Sequence, residues 1–234
     1  MTGLVCLQGG GEFSPGCRPM DTRVVRRAAG GPQPVRTVVC ALAAAPGTEH
    51  DTAVRNGVAH YRRLGADAVG APDARTDAAG AVRSLRAAGL VVLPGGSPSR
   101  LLGALRETPV GALLGELLAD GVALSGSSAG AMVLGGWTVL PERRGAHGLA
   151  VEPALGLVPG VVVVPHWSGG GSRGDWLRAV TSTVPDATVI GLPEESGVLV
   201  EGRQLLALGQ TASCVVASGV ELPPGAGWTL PHPR

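Results

Sequence analysis

Short runs of apolar residues alternate along the chain with longer stretches in which apolar positions recur every three or four residues. The first pattern predicts strands covered on both faces, and the second predicts amphipathic helices. Their alternation is typical of βα units built around a mostly parallel sheet. Strands are predicted at residues 4–7, 37–41, 90–93, 122–125, 161–164, 189–192, 198–201 and 205–208, and helices at residues 49–64, 77–88, 98–107, 110–120 and 175–181.

The end of the chain follows a different pattern. Two alternating segments flank Glu201-Gly202, which is typical of a tight hairpin. The expected fold is therefore α/β with three layers, a mostly parallel, doubly wound sheet with helices on both faces and an antiparallel edge hairpin. Residues 30–34 and 223–234 are rich in proline and glycine, so we expect a loop and a loose tail there. Neither segment has the character of a linker, and one domain over residues 1–234 is predicted.

Charge and composition narrow the class of protein. The chain carries 19 basic and 18 acidic residues, a net charge of +1, which favours neither nucleic acid nor an anionic membrane as partner. Lysine is absent, since every basic residue is arginine. Its absence excludes the Walker-A lysine and Schiff-base catalysis, and with them P-loop kinases and pyridoxal enzymes.

The cysteines and the hydropathy pattern indicate the compartment. The four cysteines are widely spaced without a C-x-x-C pair, and Cys6 and Cys40 lie in apolar runs. We interpret them as reduced, buried thiols. No segment reaches the roughly 18 apolar residues that a membrane span needs, and no cationic stretch precedes a long apolar one at the N-terminus. A cytoplasmic location is expected, with neither a metal nor another cofactor.

One strand-turn-helix pattern is centred on Ser128. The apolar run 122–125 leads into Gly-Ser-Ser-Ala-Gly at residues 126–130 and then into small residues that open a helix. This is the context of a nucleophile elbow, a strained turn too tight for side chains two residues either side of the nucleophile. The amide of Ala129 would stabilise a developing oxyanion. A glycine-rich turn with ordinary serines is the alternative interpretation.

A nucleophilic serine needs a base, and His166 occupies the matching position. It ends the apolar run 161–165, at the sheet edge where open α/β folds place their chemistry. His147 is the second choice. The other histidines are His50 and His60, which belong to a predicted polar helix, and His232, which lies in the tail.

Two carboxylates compete to orient the imidazole. Glu194 follows an apolar strand and Pro193, a rigid mount, whereas Glu142 lies in the irregular stretch after the elbow helix. We favour Glu194 and expect the adjacent Glu195 to be solvated. An ordinary surface acid is the alternative interpretation for Glu194.

Two glycine-rich turns follow other strands. Residues 93–98, Leu-Pro-Gly-Gly-Ser-Pro, combine a strand end, a glycine pair and a helix start, which leaves amides available for an anion or an oxyanion hole. Residues 9–12, Gly-Gly-Gly-Glu, are similar but lack the spacing of a dinucleotide-binding loop. A plain tight turn explains the first as well on local grounds.

Five motifs follow one another along most of the chain: Gly9-Gly-Gly-Glu12, Leu93-Pro-Gly-Gly96, Gly126-Ser-Ser-Ala-Gly130, Pro165-His166-Trp167 and Gly191-Leu-Pro-Glu194. In this order they resemble the S51 serine peptidases, which include aspartyl dipeptidase (peptidase E) and cyanophycinase and have the class I glutamine-amidotransferase-like fold. The resemblance implies that Ser128 is the nucleophile, that His166 is its base, and that Gly96 and Ala129 form the oxyanion hole. Glu142 and Glu194 both align with acids proposed for the family.

Several residues differ from those of proteins with this fold, and the differences narrow the range of expected substrates. True amidotransferases of this fold have a cysteine and a glutamate where this chain has Ser128 and Ser168, so glutamine amidotransfer is not expected. Cyanophycinases surround the histidine with arginines, whereas residues 168–172 here are Ser-Gly-Gly-Gly-Ser. We therefore expect poor activity on cyanophycin. Arg173, or the pair Arg143 and Arg144, would clamp the carboxylate of a small acidic substrate, and ordinary surface arginine is the alternative for each.

The expected function is hydrolysis of a short peptide or related amide, N-terminal or β-linked aspartyl substrates included, through a Ser-His-Glu triad and an acyl-enzyme. One alternative is an α/β-hydrolase esterase, which would take Glu142 or Glu152 as its acid. Another is a catalytically silent relative that only binds. The expected partners are a small peptide and, at most, a second copy of the chain in a homodimer, with neither nucleic acid nor membrane.

Overall fold

A computed structural model describes residues 3–31, 33–146 and 148–232. Its strands are β1 Leu4–Gln8, β2 Arg36–Val39, β3 Asp67–Gly70, β4 Leu90–Leu93, β5 Ala123–Ser127, β6 Gly135–Gly145, β7 Gly148–Pro153, β8 Val158–Pro165, β9 Thr188–Leu192, β10 Ser196–Glu201, β11 Gln204–Gly209, β12 Ser213–Val215, β13 Val220–Leu222 and β14 Gly227–Thr229. Its α-helices are α1 Arg18–Ala29, α2 Thr48–Arg63, α3 Ala78–Arg86, α4 Pro98–Glu107, α5 Val110–Ala119, α6 Ala129–Leu134 and α7 Gly174–Thr183.

The larger sheet has eight strands in the order β14-β11-β10-β1-β5-β4-β2-β3. The five strands from β1 to β3 are parallel, and β10, β11 and β14 continue the sheet antiparallel from β1. The parallel strands β4 and β5 are buried along their whole length. Since both faces of such a strand are covered, the near-continuous apolar runs of the sequence are explained.

A second sheet has six strands in the order β13-β12-β9-β8-β6-β7. Its centre, β6, β8 and β9, is parallel, and the flanking pairs are antiparallel. The short helix α6 contacts both sheets, touching β1 and β5 on one side and β6 and β8 on the other. The helix that follows the predicted elbow is therefore held between the two sheets.

The core is divided by the larger sheet, because side chains of successive strand residues point to opposite faces. On one face, Leu4 and Cys6 join buried residues of α1 and α2 such as Val24 and Tyr61. On the other face, Val5 and Leu7 of β1 join buried residues of α3 to α6 and of β8. The helices thus cover both faces of the sheet, as the alternating pattern predicted.

The α/β prediction with helices on both faces and an edge hairpin is confirmed. Each predicted strand and helix is present within a few residues, and the hairpin turns between β10 and β11 next to Glu201. The prediction of one sheet misses the division of the strands into two sheets. The elements that were not predicted are α1, β3, β6, β7, β12, β13 and β14. The expectation of a loose tail after residue 223 is wrong, since β14 pairs with β11 and Leu230 is buried. Within the described part of the chain, no helix has the length and apolar character needed to cross a bilayer.

Candidate active site

Ser128 stands at the turn between β5 and α6, where the backbone is strained. Its φ of 49° and ψ of −112° lie in a region that non-glycine residues rarely adopt. A Cβ at Gly126 would come within 2.4 Å of the carbonyl carbon of Gly130, and one at Gly130 within 2.0 Å of the Leu93 oxygen. The two glycines therefore allow the close approach that the elbow pattern predicted.

His166 lies directly against the serine. Its Nε2 is 2.9 Å from Ser128 Oγ, a normal hydrogen-bond distance. The backbone of His166 also has positive φ, 52°, which turns the side chain out of the line of β8. The ring passes so close to Gly10 that a Cβ there would be 2.4 Å from the His166 Cε1. The first glycine turn thus leaves room for the imidazole.

Glu194 completes a chain of three side chains. Its Oε1 is 2.9 Å from His166 Nδ1, on the far side of the ring from Ser128. The pair is open to solvent, with 38% of the histidine and 62% of the glutamate side chain exposed. A carboxylate at Nδ1 selects the tautomer whose Nε2 can accept the serine proton.

The competing acid lies elsewhere. Glu142 of β6 accepts a hydrogen bond from the Ser97 hydroxyl at 2.8 Å, at the start of α4. Burial alone would raise the pKa of the Glu142 carboxyl, but hydrogen bonds from its own amide and from Ser97 outweigh that effect and lower it. Glu195 is not the solvated side chain that was expected, because it is half-buried and accepts from Ser14 at 2.7 Å.

The other described histidines contact residues outside this arrangement. His50 and His60 lie on the predicted helix, α2, and both of their side chains are buried. His60 pairs with Asp21 at 2.8 Å. His232 is close to Arg203, and His147, the second choice for the base, falls outside the described residues.

The loop after β1 joins the three segments of the candidate site. The backbone carbonyls of residues 8–10 accept, in order, the amide hydrogens of Ser128, His166 and Glu195 at 3.0, 2.9 and 3.0 Å. One short segment therefore fixes the positions of Ser128, His166 and the turn that carries Glu194 relative to one another. This role was not foreseen, because it uses backbone atoms and leaves no side-chain pattern beyond the glycines.

The glycine pair after β4 approaches the serine. A Cβ on Gly95 would lie 3.3 Å from Ser128 Cβ, and Gly96 has a φ of +140° that only glycine adopts readily. The amides of Gly96 and Ala129, both predicted oxyanion donors, donate to no other group in the described part of the chain. The Gly95 amide instead donates to Glu12 Oε1 at 2.9 Å.

A cationic cleft of about 510 Å³ lies beyond β6. Arg144 and Arg173 both line it, together with Trp176, and neither arginine pairs with a carboxylate of the described residues. The Arg173 guanidinium lies 4.8 Å from the centre of the Trp176 ring. Arg143, predicted as part of the same clamp, is instead paired with Glu152 at 2.5 Å.

A second cleft lies where the central strands β6, β8 and β9 of the smaller sheet begin. It has a volume of about 390 Å³ and is lined by apolar side chains that include Trp137, Val184 and Leu230. Thr188, where β9 begins, belongs to its wall, whereas His166 and Glu194 follow the other ends of the strands. This cleft therefore has no part in the chemistry around Ser128.

The cysteines are kept neutral by their surroundings. Burial, followed by the charge of Asp21, raises the pKa of Cys6 to about 12, and burial raises that of Cys40 to about 12. All four are free thiols. Thiolate chemistry is therefore not available to Cys6 or Cys40. Among the described residues no three His, Cys, Asp or Glu side chains converge as metal ligands do.

Comparison with known proteins identifies the family of the chain. The sequence profile of peptidase family S51 matches residues 36–208. The chain belongs to peptidase family S51. Cyanophycinases from Trichormus variabilis and from a Nostoc species are each 32% identical to it over 146 residues, 59% of this chain. The chain spans about half the length of these curated relatives, since the match covers 48% of each.

Solved structures with low sequence identity share the fold of this S51 member. A peptidase from an acI-B1 actinobacterium has a TM-score of 0.84 at 22% identity, over 98% of both chains. A peptidase E candidate from Listeria monocytogenes EGD-e has a TM-score of 0.64 at 17% identity, over 90% of this chain and 100% of that one. Both likenesses concern the fold.

Proposed function

We propose that this S51 family member is a serine peptidase that cleaves a short peptide or a related amide through an acyl-enzyme. The observation that carries the proposal is the line of contacts from Ser128 Oγ to His166 Nε2 and from His166 Nδ1 to Glu194, each 2.9 Å long. A nucleophile, a base and an orienting carboxylate in this order form the arrangement that activates a serine at neutral pH.

In the proposed reaction, Ser128 Oγ attacks the carbonyl carbon while its proton passes to His166 Nε2. Glu194 accepts the hydrogen bond of Nδ1–H and stabilises the imidazolium. The carbonyl oxygen becomes an oxyanion that receives hydrogen bonds from the amides of Gly96 and Ala129. As the C–N bond breaks, the imidazolium gives its proton to the leaving amine. Water then attacks the acyl ester with the same base, which releases the acid and restores Ser128.

A short peptide with an acidic side chain is the proposed substrate class. Arg144 and Arg173 provide two unneutralised guanidinium groups in one cleft, and guanidinium binds carboxylate with two parallel hydrogen bonds. The cleft and the glycine turn are linked through β6, because Glu142 on that strand holds Ser97, next to Gly96. The curated relatives are cyanophycinases, but we expect weak activity on that polymer because Gly169–Gly171 contributes no side chain to hold it.

The two alternative functions are less well supported. An α/β-hydrolase triad would use Glu142 or Glu152, yet the first binds Ser97 and the second binds Arg106 and Arg143. A protein that only binds would not require a strained backbone at Ser128 or its contact with an imidazole. Such strain costs free energy and is typical of active sites, where the surrounding structure enforces it. The buried thiols favour a reducing compartment, so we propose that the peptidase acts in the cytoplasm.

Labelling with a fluorophosphonate tests the nucleophile. We expect one adduct per chain, located on Ser128 by peptide mass spectrometry, and loss of both labelling and peptide hydrolysis in Ser128→Ala. Ser127→Ala is the matched control, and its label should stay on Ser128. An adduct on Ser127, or hydrolysis that survives Ser128→Ala, would exclude the proposed mechanism.

Kinetics with dipeptides test the substrate class. Wild-type protein is expected to cleave Asp-Leu with a higher kcat/KM than Ala-Leu and to act poorly on cyanophycin. Arg173→Ala should reduce kcat/KM for Asp-Leu by about 10- to 100-fold, the value of a charge-assisted contact. Arg143→Ala is the matched control, because that arginine is already paired with Glu152. Equal rates for the two dipeptides in the wild type would contradict the acidic substrate.

A further inference from the structure

Glu12 connects two parts of the candidate site that are distant in sequence. Its Oε1 accepts the Gly95 amide hydrogen at 2.9 Å, and its Oε2 accepts the Ser127 hydroxyl at 3.0 Å. Gly95 belongs to the glycine turn after β4, and Ser127 immediately precedes the nucleophile. A single carboxylate therefore joins the glycine turn to the elbow.

The contact with Gly95 determines the direction of the neighbouring amide. On one side of Gly96, the Gly95 amide is held by Glu12, and on the other side the Ser97 amide donates to the Ala43 carbonyl at 3.1 Å. Gly96 itself is a bend with a φ of +140°. With the amides of both neighbours tied to acceptors, the bend is held at both ends, and the Gly96 amide donates to no described group.

The glycine turn after β4 packs closely against Glu12, Ser128 and Ala43. A Cβ on Gly95 would lie 2.6 Å from Glu12 Oε1 and 3.3 Å from Ser128 Cβ, so the turn, the carboxylate and the nucleophile are in direct contact. A Cβ on Gly96 would collide with the Ala43 oxygen at 2.6 Å. Two glycines leave the turn little side-chain packing of its own, so its position depends on the hydrogen bonds at its ends.

We propose that Glu12 is a positioning residue for the oxyanion hole, acting on the Gly96 and Ala129 amides through Gly95 and Ser127. This inference rests on the proposed serine-peptidase function. Oxyanion donors act only if they are preorganised where charge develops, and removal of one donor lowers kcat by about 10²- to 10³-fold. Loosening both donors by loss of Glu12 should therefore affect kcat far more than KM.

The test compares Glu12→Ala with Glu12→Gln. Glu12→Ala removes both contacts, and we expect kcat for a cleavable dipeptide to fall about 10- to 100-fold with KM changed less than threefold. Glutamine can accept from the Gly95 amide through its carbonyl and donate to Ser127 Oγ through its NH₂ group, so Glu12→Gln should keep kcat within about fivefold. Glu116→Ala, which removes an exposed carboxylate of α5, is the control for the loss of a glutamate.

A transition-state analogue separates positioning from simple support of the fold. A boronic acid analogue of the substrate's N-terminal residue forms a tetrahedral adduct on the serine, and its affinity should fall in Glu12→Ala by the same factor as kcat, while the affinity for the amino acid products stays constant. If Glu12→Ala does not fold, Ser127→Ala removes one contact alone and should weaken boronate binding about three- to tenfold. An unchanged boronate affinity in that variant would then overturn the proposal.

Two results contradict the role of Glu12 without touching the proposed function. One is normal kcat and boronate affinity in folded Glu12→Ala, and the other is a Glu12→Gln variant as impaired as Glu12→Ala, which would assign the effect to charge. In both cases Ser128 would still be labelled by fluorophosphonate. Failure of that labelling in the wild type would instead reject the proposed function itself.

Discussion

Two histidine–carboxylate pairs of similar length occupy opposite surroundings in this protein. His166 and Glu194 are 2.9 Å apart at an exposed strand end, and His60 and Asp21 are 2.8 Å apart with 2% of each side chain exposed. The exposed pair has a serine hydroxyl on the second ring nitrogen. The buried pair is enclosed by Gln8 and Tyr61, whose side chains donate to Asp21.

The difference shows that a histidine–carboxylate pair alone does not indicate a reactive site. Exposure to solvent and a serine hydroxyl at the second ring nitrogen distinguish His166 from His60. The buried pair instead links α1 and α2 to β1, and Gln8 of that strand accepts the Ser128 amide hydrogen through its carbonyl. A buried charge needs its partners, whereas an exposed one can change protonation during a reaction.

The largest expected effect is the loss of activity in His166→Ala. Removing the base should lower kcat/KM for a dipeptide by about 10⁵-fold, close to 7 kcal/mol of transition-state stabilisation. The free energy of unfolding should change by less than about 1 kcal/mol, because the side chain is partly exposed. His232→Ala, measured in the same assay, should retain full activity. Substantial activity in His166→Ala would remove the proposed distinction between the two pairs.

Asp21→Ala should give the opposite result. It leaves His60, Gln8 and Tyr61 without their shared acceptor, and loss of one partner of a buried pair costs about 3–5 kcal/mol of stability. Urea unfolding measures the change, and the folded fraction should keep its kcat within about threefold. The control is Asp67→Ala, which breaks the exposed pair with Arg36 and should cost at most about 1 kcal/mol. A stable but inactive Asp21→Ala protein would place the buried pair in the reaction.

A smaller effect is expected for Glu194→Gln. The amide oxygen still accepts from His166 Nδ1, but the charge that stabilises the imidazolium is lost, which is worth about 1.5–3 kcal/mol, roughly 10- to 100-fold in kcat. Glu142→Gln keeps an acceptor for Ser97 and should stay within about threefold of the wild type. The reverse ranking of these two variants would make Glu142 the triad acid.

The smallest effect is the pH dependence of stability around the buried pair. The pKa of Cys6 is raised to about 12 from 9.0, so above about pH 9 the unfolded chain loses this proton while the folded protein keeps it. Stability present below pH 9 is therefore lost as the pH rises, by up to about 1.4 kcal/mol per pH unit for this thiol. The chain has no lysine, so the side chains that share this pH window are the other cysteines and Tyr61, whose pKa values are also raised by burial. Urea unfolding between pH 8 and 10.5 gives the free energy of unfolding as a function of pH. Its decline with pH should be less steep in Cys6→Ala than in the wild type, and the change should be smaller in Cys214→Ala, where the thiol is partly exposed.

The sequence predicted what depends on local pattern. The elbow glycines, the strand end at His166 and the position of Glu194 after a strand all follow from which residue types tolerate a tight turn or terminate a strand. The division into two sheets was not predictable in this way, since β8 and β9 have the same apolar character as β4 and β5. The burial of His60 was missed because its partner Asp21 lies 39 positions away, on a helix that the pattern did not predict.

The carbonyls of residues 8–10 also determine when the site can exist. Their hydrogen-bond donors are the amides of Ser128, His166 and Glu195, so the three segments of the site cannot come together during translation until Glu195 has been synthesised. At roughly 5–20 residues per second, the ribosome needs about 3–13 s to go from Ser128 to Glu194. During that interval Ser128 has no contact with the Glu194 side of the site. A nascent chain therefore lacks the proposed Ser-His-Glu arrangement until most of its length has been synthesised.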